Sequence, residues 1–203
     1  MNYIFTSPSL DDLIRLLKAW RFWLAGALIG AALGAIVYFV APPLFRARAT
    51  VNVDFNLEQA WPQETDRQQF YYLERESRKM IEIAWSDDVM NQLSTEFTIP
   101  VEDLRNSKLQ LSQPAEAGWH FYADDSNAKV AAAIASAWAN TFFIKVQADI
   151  DAGKINEFVK LEVTQSADLP VKRRVPISVY LLAGAIGFLT LAVFVMLFIQ
   201  QKK

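Results

Sequence analysis

Four groups of residues in this sequence have types and spacings that could do chemistry. Asp87-Asp88 and Asp124-Asp125 are adjacent carboxylates, which could divide acid and base roles between them; His120 is the only histidine; and Lys172-Arg173-Arg174 is a cationic run able to hold phosphate or an anionic polymer. Each has a structural reading beside the chemical one. Both aspartate pairs stand where a helix is expected to begin, and a helix N-terminus favours acidic side chains, so they are read as capping residues. His120 lies between apolar neighbours of an expected hairpin, with no cysteine in the chain to join it at a metal, and is read as a cross-strand surface residue. The cationic run precedes a long apolar stretch, where basic residues anchor a chain at a membrane interface; Lys172, Arg173 and Arg174 are retained as positions for lipid or polymer contact. No G-x-x-x-x-G-K-[ST] loop, no G-x-G-x-x-G turn and no Ser-His-Asp arrangement stands out. The expectation is a protein that is not an enzyme, with no catalytic, cofactor-binding or metal-ligating residues.

The elements that position these groups begin with two stretches long enough to cross a bilayer. The chain has 203 residues, 53% of them hydrophobic, and its apolar surplus is concentrated in Trp20 to Val40 and Ile177 to Ile199. A hydrocarbon core of about 30 Å takes roughly 20 apolar residues in a helix, which each stretch supplies. Its length and the charged segment before it mark the first as a retained anchor and not a cleaved signal. The expected organisation is an amphipathic segment over 1–19, a transmembrane helix over 20–41, an α/β domain over 42–176, a second transmembrane helix over 177–199 and a short tail over 200–203. Both ends of the central domain then leave from one membrane face. Basic residues flank the inner and outer ends of the anchors about equally, so charge does not set the orientation. A net charge of −2 without a basic stripe makes nucleic acid an unexpected partner.

Leu10, Leu13, Ile14 and Leu17 recur at helical spacing before the first anchor, with Ser9 and Asp12 as a capping-box-like start, and predict a short interfacial helix. Within the anchors, Gly26, Gly30 and Gly34 share one face, and Ala183, Gly184 and Gly187 form a weaker set. Gly26, Gly30, Gly34, Gly184 and Gly187 are expected to pack helices in an oligomer; packing of the two anchors within one protomer is the alternative. Pro43, Pro170 and Pro176 mark the junctions between domain and membrane, Pro170 by fixing the backbone angle after the last strand.

Between the anchors, alternation over Ala47 to Phe55 predicts a strand, followed by a loop at Trp61-Pro62. A helix from Asp66 to about Phe97 is expected to break at Ser86, whose side chain caps its second part. Leu109 and Leu111, then Trp119, Phe121 and Ala123, predict a hairpin around a turn at Pro114 to Gly118. Ala131, Ile134, Trp138, Phe142, Val146 and Ile150 form a helical stripe that Gly153 ends, and Val159, Leu161 and Val163 predict a last strand. The order is βαββαβ, the ferredoxin-like arrangement, with the first and last strands expected in the middle of the sheet.

Three segments carry a resemblance to a known family. Pro43-Leu44-Phe45-Arg46-Ala47-Arg48-Ala49 is similar to the signature P-x-[YF]-x-A-x-A, with Leu10-Asp11-Asp12-Leu13 before the first anchor. Asp124-Asp125-Ser126-Asn127-Ala128 leads into a helix rich in alanine that reaches Ala139-Asn140-Thr141-Phe142. Ala167-Asp168-Leu169-Pro170, then Pro176, resembles an A-x-x-P segment beside the second anchor. In these parts and their order the chain resembles the Wzz family of polysaccharide chain-length determinants, the polysaccharide co-polymerases. It would be a short member, because only about eight residues, Asp151 to Phe158, stand where that family carries a long helical extension.

The resemblance implies a non-enzymatic oligomer, a ring of copies in a bacterial inner membrane, that regulates the length of a surface polysaccharide such as lipopolysaccharide O-antigen, capsule or exopolysaccharide. Implied partners are further copies of the chain, a polysaccharide polymerase with its growing lipid-linked polymer, and membrane lipids, with no cofactor. It also implies a periplasmic or extracytoplasmic domain and cytoplasmic termini. A membrane adaptor for a polysaccharide-export tyrosine kinase is an alternative; such relatives engage the kinase through a cytoplasmic tail, and Gln200-Gln201-Lys202-Lys203 is expected to be too short. A structural subunit of an envelope complex is a third reading.

Overall fold

The computed structural model describes Ile14 and residues 17–60, 66–113, 118–165 and 171–200. Most of the expected interfacial helix, the Trp61-Pro62 loop, residues 114–117 of the hairpin turn, the Ala167-Asp168-Leu169-Pro170 segment and the last three residues lie outside these. The chain is a mixed α/β protein with an antiparallel sheet and two long apolar helices that pack together. It divides into two compact units, one holding both apolar helices and the other spanning Leu44–Arg174.

The first unit contains α1 (Trp20–Val40) and α7 (Ile177–Gln200). Both are long and apolar enough to cross a membrane, and little of either is buried. Leu28, Ile29, Leu182 and Ile186 are all more than half exposed, as expected of helices made to meet an apolar surrounding on their outer sides. The helices are antiparallel, with Gly26 beside Phe188 and Ala192, Gly30 beside Gly184, and Gly34 beside Tyr180.

In the second unit, β1 (Phe45–Asp54) is the central strand. It is followed by α2 (Leu57–Ala60), α3 (Asp66–Ala84), α4 (Asp87–Phe97) and the single turn α5 (Val101–Asp103), which runs into a π-helical turn over Leu104–Lys108. Then come β2 (Leu109–Ser112), β3 (Gly118–Asp125), α6 (Ala128–Asp151), β4 (Lys160–Gln165) and the two-residue β5 (Lys172–Arg173). The strand order is β2-β3-β1-β4, antiparallel throughout, with β5 also pairing with β1.

The alternation in β1 works as its sequence requires. Ala47, Ala49, Val51 and Val53 are buried, and with Trp119, Phe121 and Ala123 of β3 they form the inner face of the sheet. α6 packs on β1 and β3, and α3 and α4 pack against α6. Four small residues on that helix, Ala131, Ala135, Ala139 and Thr141, are buried beside the much larger Ile134, Trp138, Phe142 and Val146. Small side chains at Ala47 and Ala49 leave room for those rings. Trp138 makes edge contacts with Trp85 and Phe121, both at 4.9 Å, and donates its indole N–H to the Ala84 carbonyl at 2.9 Å.

Strand and helix ends follow local chemistry. Asn56 adopts a φ of 43° while its amide donates to Asp54 Oδ1 at 2.9 Å, which turns the chain after β1. Ser86 breaks the long helix as expected, its Oγ accepting from the Val89 amide at 3.4 Å. Gly153, at φ 70°, takes the left-handed position just past α6.

The expectation that the last strand lies inside the sheet is not met. Among the described residues β4 pairs with β1 alone and forms an edge, a position suited to its outward Lys160 and Glu162, since charged side chains protect an edge from further pairing.

Candidate functional site

The register of the sheet gathers the charged groups at one end of the α/β unit. Phe45 and Arg46 lie opposite Asp125 and Asp124 of β3 on one side, and opposite Arg173 and Lys172 of β5 on the other. Arg46 donates from Nε and Nη2 to the two carboxylate oxygens of Asp124, each at 2.7 Å. Arg174 adds Nη1 at 3.4 Å from the same carboxylate, and its amide donates to the Leu44 carbonyl at 2.8 Å. One carboxylate, 3% exposed, thus ties together the segment that follows α1 and the segment that precedes α7. The hydrogen bonds to Asp124 raise the Arg46 pKa, against the opposing effect of partial burial.

Two further interactions complete this end. The Arg173 guanidinium stands 3.9 Å from the centre of the Phe45 ring, a cation–π contact. Lys108 Nζ lies 2.6 Å from Asp125 Oδ2, while Asp125 Oδ1 accepts from the Asn127 amide at 2.9 Å. Burial opposes ionisation of Asp125, but these hydrogen bonds outweigh it and hold its pKa below the usual carboxylate range.

Asp124 and Asp125 therefore do not begin a helix, contrary to the capping expectation. They end β3, and Asn127 caps α6 by accepting from the Lys129 amide at 2.9 Å. Asp87 and Asp88 do stand in the first turn of α4. Each also meets a cation, Asp87 with Arg105 at 2.7 Å and Asp88 with Lys145 at 2.8 Å, and the latter bond lowers the Asp88 pKa. The two pairs are thus committed to ion pairs with separate partners, and neither is arranged as a carboxylate dyad.

His120 is a cross-strand residue. Its Nδ1 lies 3.0 Å from Thr50 Oγ1 on the strand opposite, and its ring stands edge-on to Tyr122. Burial, then the charge of Arg48, lowers its pKa, so the neutral imidazole predominates at neutral pH. Among the described residues no group of three or more histidine, aspartate or glutamate side chains is placed to hold a metal ion.

The glycines expected to pack an oligomer are occupied within the chain. A Cβ on Gly30 would collide with the Gly184 carbonyl, one on Gly34 with the Tyr180 carbonyl, and one on Gly26 would stand 3.0 Å from Ala192 Cβ. The weaker α7 set divides: Gly184 faces α1, whereas Gly187 faces open space. Close backbone approach at Gly26, Gly30, Gly34 and Gly184 thus serves α1 and α7 of one protomer, the alternative weighed from the sequence.

The junction prolines fit their positions. Pro43 follows soon after α1 and its C-cap Ala41, and Pro176 immediately precedes α7, where its missing N–H costs no helical hydrogen bond. Pro170 lies outside the described residues. At the end of the unit opposite Asp124, an open hollow of about 810 Å³ is lined by Val53, Asn56, Gln59, Gln69, Gln113 and Trp119.

Within this cluster of charges Lys172 and Arg174 are the exposed members of the cationic run. No protein-family model and no curated protein matches the chain.

Proposed function

We propose that this chain is a two-pass inner-membrane protein that regulates the length of a surface polysaccharide without catalysing its synthesis, as the Wzz-like segments imply. The observation that carries the reading is the meeting of two of those segments. Phe45 and Arg46 of the Pro43 to Ala49 segment lie in register opposite Asp125 and Asp124, which open the Asp124 to Ala128 segment far away in sequence, and Arg46 and Asp124 join the two next to where the chain leaves for both apolar helices. Antiparallel α1 and α7 support a domain tethered at both ends to one membrane face, in this reading the periplasmic face, with cytoplasmic termini.

The strand order β2-β3-β1-β4, with its antiparallel pairing, supports a ferredoxin-like βαββαβ domain. The working form is a closed homo-oligomer that acts by geometry, restraining a polymerase or its growing lipid-linked chain. With four of the five anchor glycines engaged within the protomer, contacts between copies fall to the α/β domain, whose Phe70, Tyr71 and Ile144 are exposed apolar side chains, and to the outer faces of the anchors.

The test is deletion of the gene followed by electrophoresis of the surface polysaccharide. A shifted or broadened length distribution, restored by the wild-type chain, supports the reading; an unchanged distribution refutes it.

A further inference from the structure

The sheet end that adjoins both apolar helices in the chain is cationic. Arg46, Lys108, Lys172, Arg173 and Arg174 gather there against the carboxylates of Asp124 and Asp125. Asp125 is matched by Lys108, and Asp124 by Arg46 together with Arg174, while Lys172 and Arg174 of the β5 run and the residue after it stay exposed.

α6 repeats this polarity. It starts beside the end of β3, and carries Lys129 in its first turn and Asp149 and Asp151 in its last. That placement opposes the helix dipole, which favours acidic groups at the N-terminus and basic groups at the C-terminus. Asp149 is offset there by Lys154 at 3.0 Å, and Asp151 accepts from Gln147 Nε2 at 3.1 Å.

Chain length limits how far the cationic run can lie from the apolar helix that follows. Arg174 stands three positions before Ile177 and Lys172 five positions before it, spans of at most about 11 and 18 Å in any arrangement. Interfacial headgroup regions are roughly 5–8 Å deep, and charge is felt over about 8–10 Å beyond them at physiological salt. A run held this close to a spanning helix sits within the field of any anionic headgroups around it.

We propose that this end of the α/β domain is a lipid-docking surface that selects anionic phospholipid headgroups, with Lys172 and Arg174 as its contact residues. Arg46 and Asp124 act as positioning residues: their bidentate pair fixes the strand ends, and the same carboxylate orients Arg174. Docking aims the domain relative to the bilayer, and so deepens the proposed function while resting on its membrane-spanning reading.

The experiment uses the full chain in nanodiscs of equal parts phosphatidylcholine and phosphatidylglycerol, with the lipids retained after mild detergent extraction quantified by mass spectrometry. Each cation near an anionic surface raises affinity about fivefold, so the wild type should enrich phosphatidylglycerol and K172Q/R174Q should reduce that enrichment about fivefold or more. K172R/R174K should restore it, R78Q/K160Q should leave it unchanged, and high salt should weaken it. Wild-type lipids at the bulk ratio, or enrichment that survives K172Q/R174Q, would overturn the proposal. Loss of enrichment on adding a soluble anionic polysaccharide would also overturn it, by making the site one for polymer. An alkaline carbonate wash separates the two failures. A chain released from cell membranes refutes the spanning reading itself, whereas a chain that stays in the membrane but shows no enrichment refutes only lipid docking.

Discussion

Gly30 and Gly184 meet backbone to backbone, each occupying the space where a Cβ on the other would stand. Helices in lipid gain little from apolar burial, so van der Waals contact at such close approach is what holds the pair. A bulky side chain at either position must push α1 and α7 apart.

Gly30→Leu should therefore disrupt the pairing of α1 and α7 within one protomer. The chain has no cysteine, so cysteines at Tyr38 and Tyr180, whose rings are 5.4 Å apart, can report it through a short thiol crosslinker. High crosslinking yield in the parent, lost with Gly30→Leu at unchanged oligomer mass, is expected. Equal yields in both would show that the helices pack elsewhere.

Trp138→Ala should cost about 3–5 kcal/mol, through lost burial of a fully enclosed ring and the cavity it leaves. Trp138→Phe should cost less, chiefly because the Ala84 carbonyl loses its donor in a buried setting, about 1–3 kcal/mol. Thermal unfolding followed by near-ultraviolet circular dichroism checks both. A loss below about 1 kcal/mol for the alanine variant would contradict the enclosed position.

The stripe that places Trp138 was legible because only a helix puts Ala131, Ile134, Trp138, Phe142 and Val146 on one side, and all are buried. The β1 alternation was equally plain. Three features were hidden for physical reasons. Asp124-Asp125 carries the local signature of a helix start, and only the pairing of β3 with β1 brings Arg46 across to claim Asp124. The glycine face of α1 is the same sequence signal whether its partner is another protomer or α7; the three-dimensional fit to Gly184 decides. The edge position of β4 was hidden as well, because strand order depends on which partners β1 accepts, which no local pattern encodes.

Asp124→Asn should destabilise the α/β unit by about 2 kcal/mol, less than the 3–5 of a fully buried pair because Arg46 keeps part of its exposure. A cycle with Arg46→Met measures the coupling directly by urea unfolding. Additive losses in the double variant would mean that the bidentate geometry contributes nothing.

His120 sets a pH dependence of definite sign. Its pKa is lowered in the folded chain, so the neutral ring is favoured there, and the stability this gives is complete above the unfolded value of about 6.5 and lost as pH falls through the folded one. Melting temperature should fall more steeply on acidification in the wild type than in His120→Gln. Parallel curves would show that the ring titrates alike in both states.

The polymer length distribution in a deletion strain, complemented by wild type or by single variants, tests the proposed function most directly. Loss of the chain should shift or broaden the distribution and wild type should restore it. His120→Gln, Asp87→Asn and Asp125→Asn should also restore it when they fold, because regulation by geometry depends on no one side chain, while Gly30→Leu should not. A deletion strain with an unchanged distribution would contradict a role in length control, and abolition of the polymer by a well-folded Asp87→Asn would point instead to catalysis.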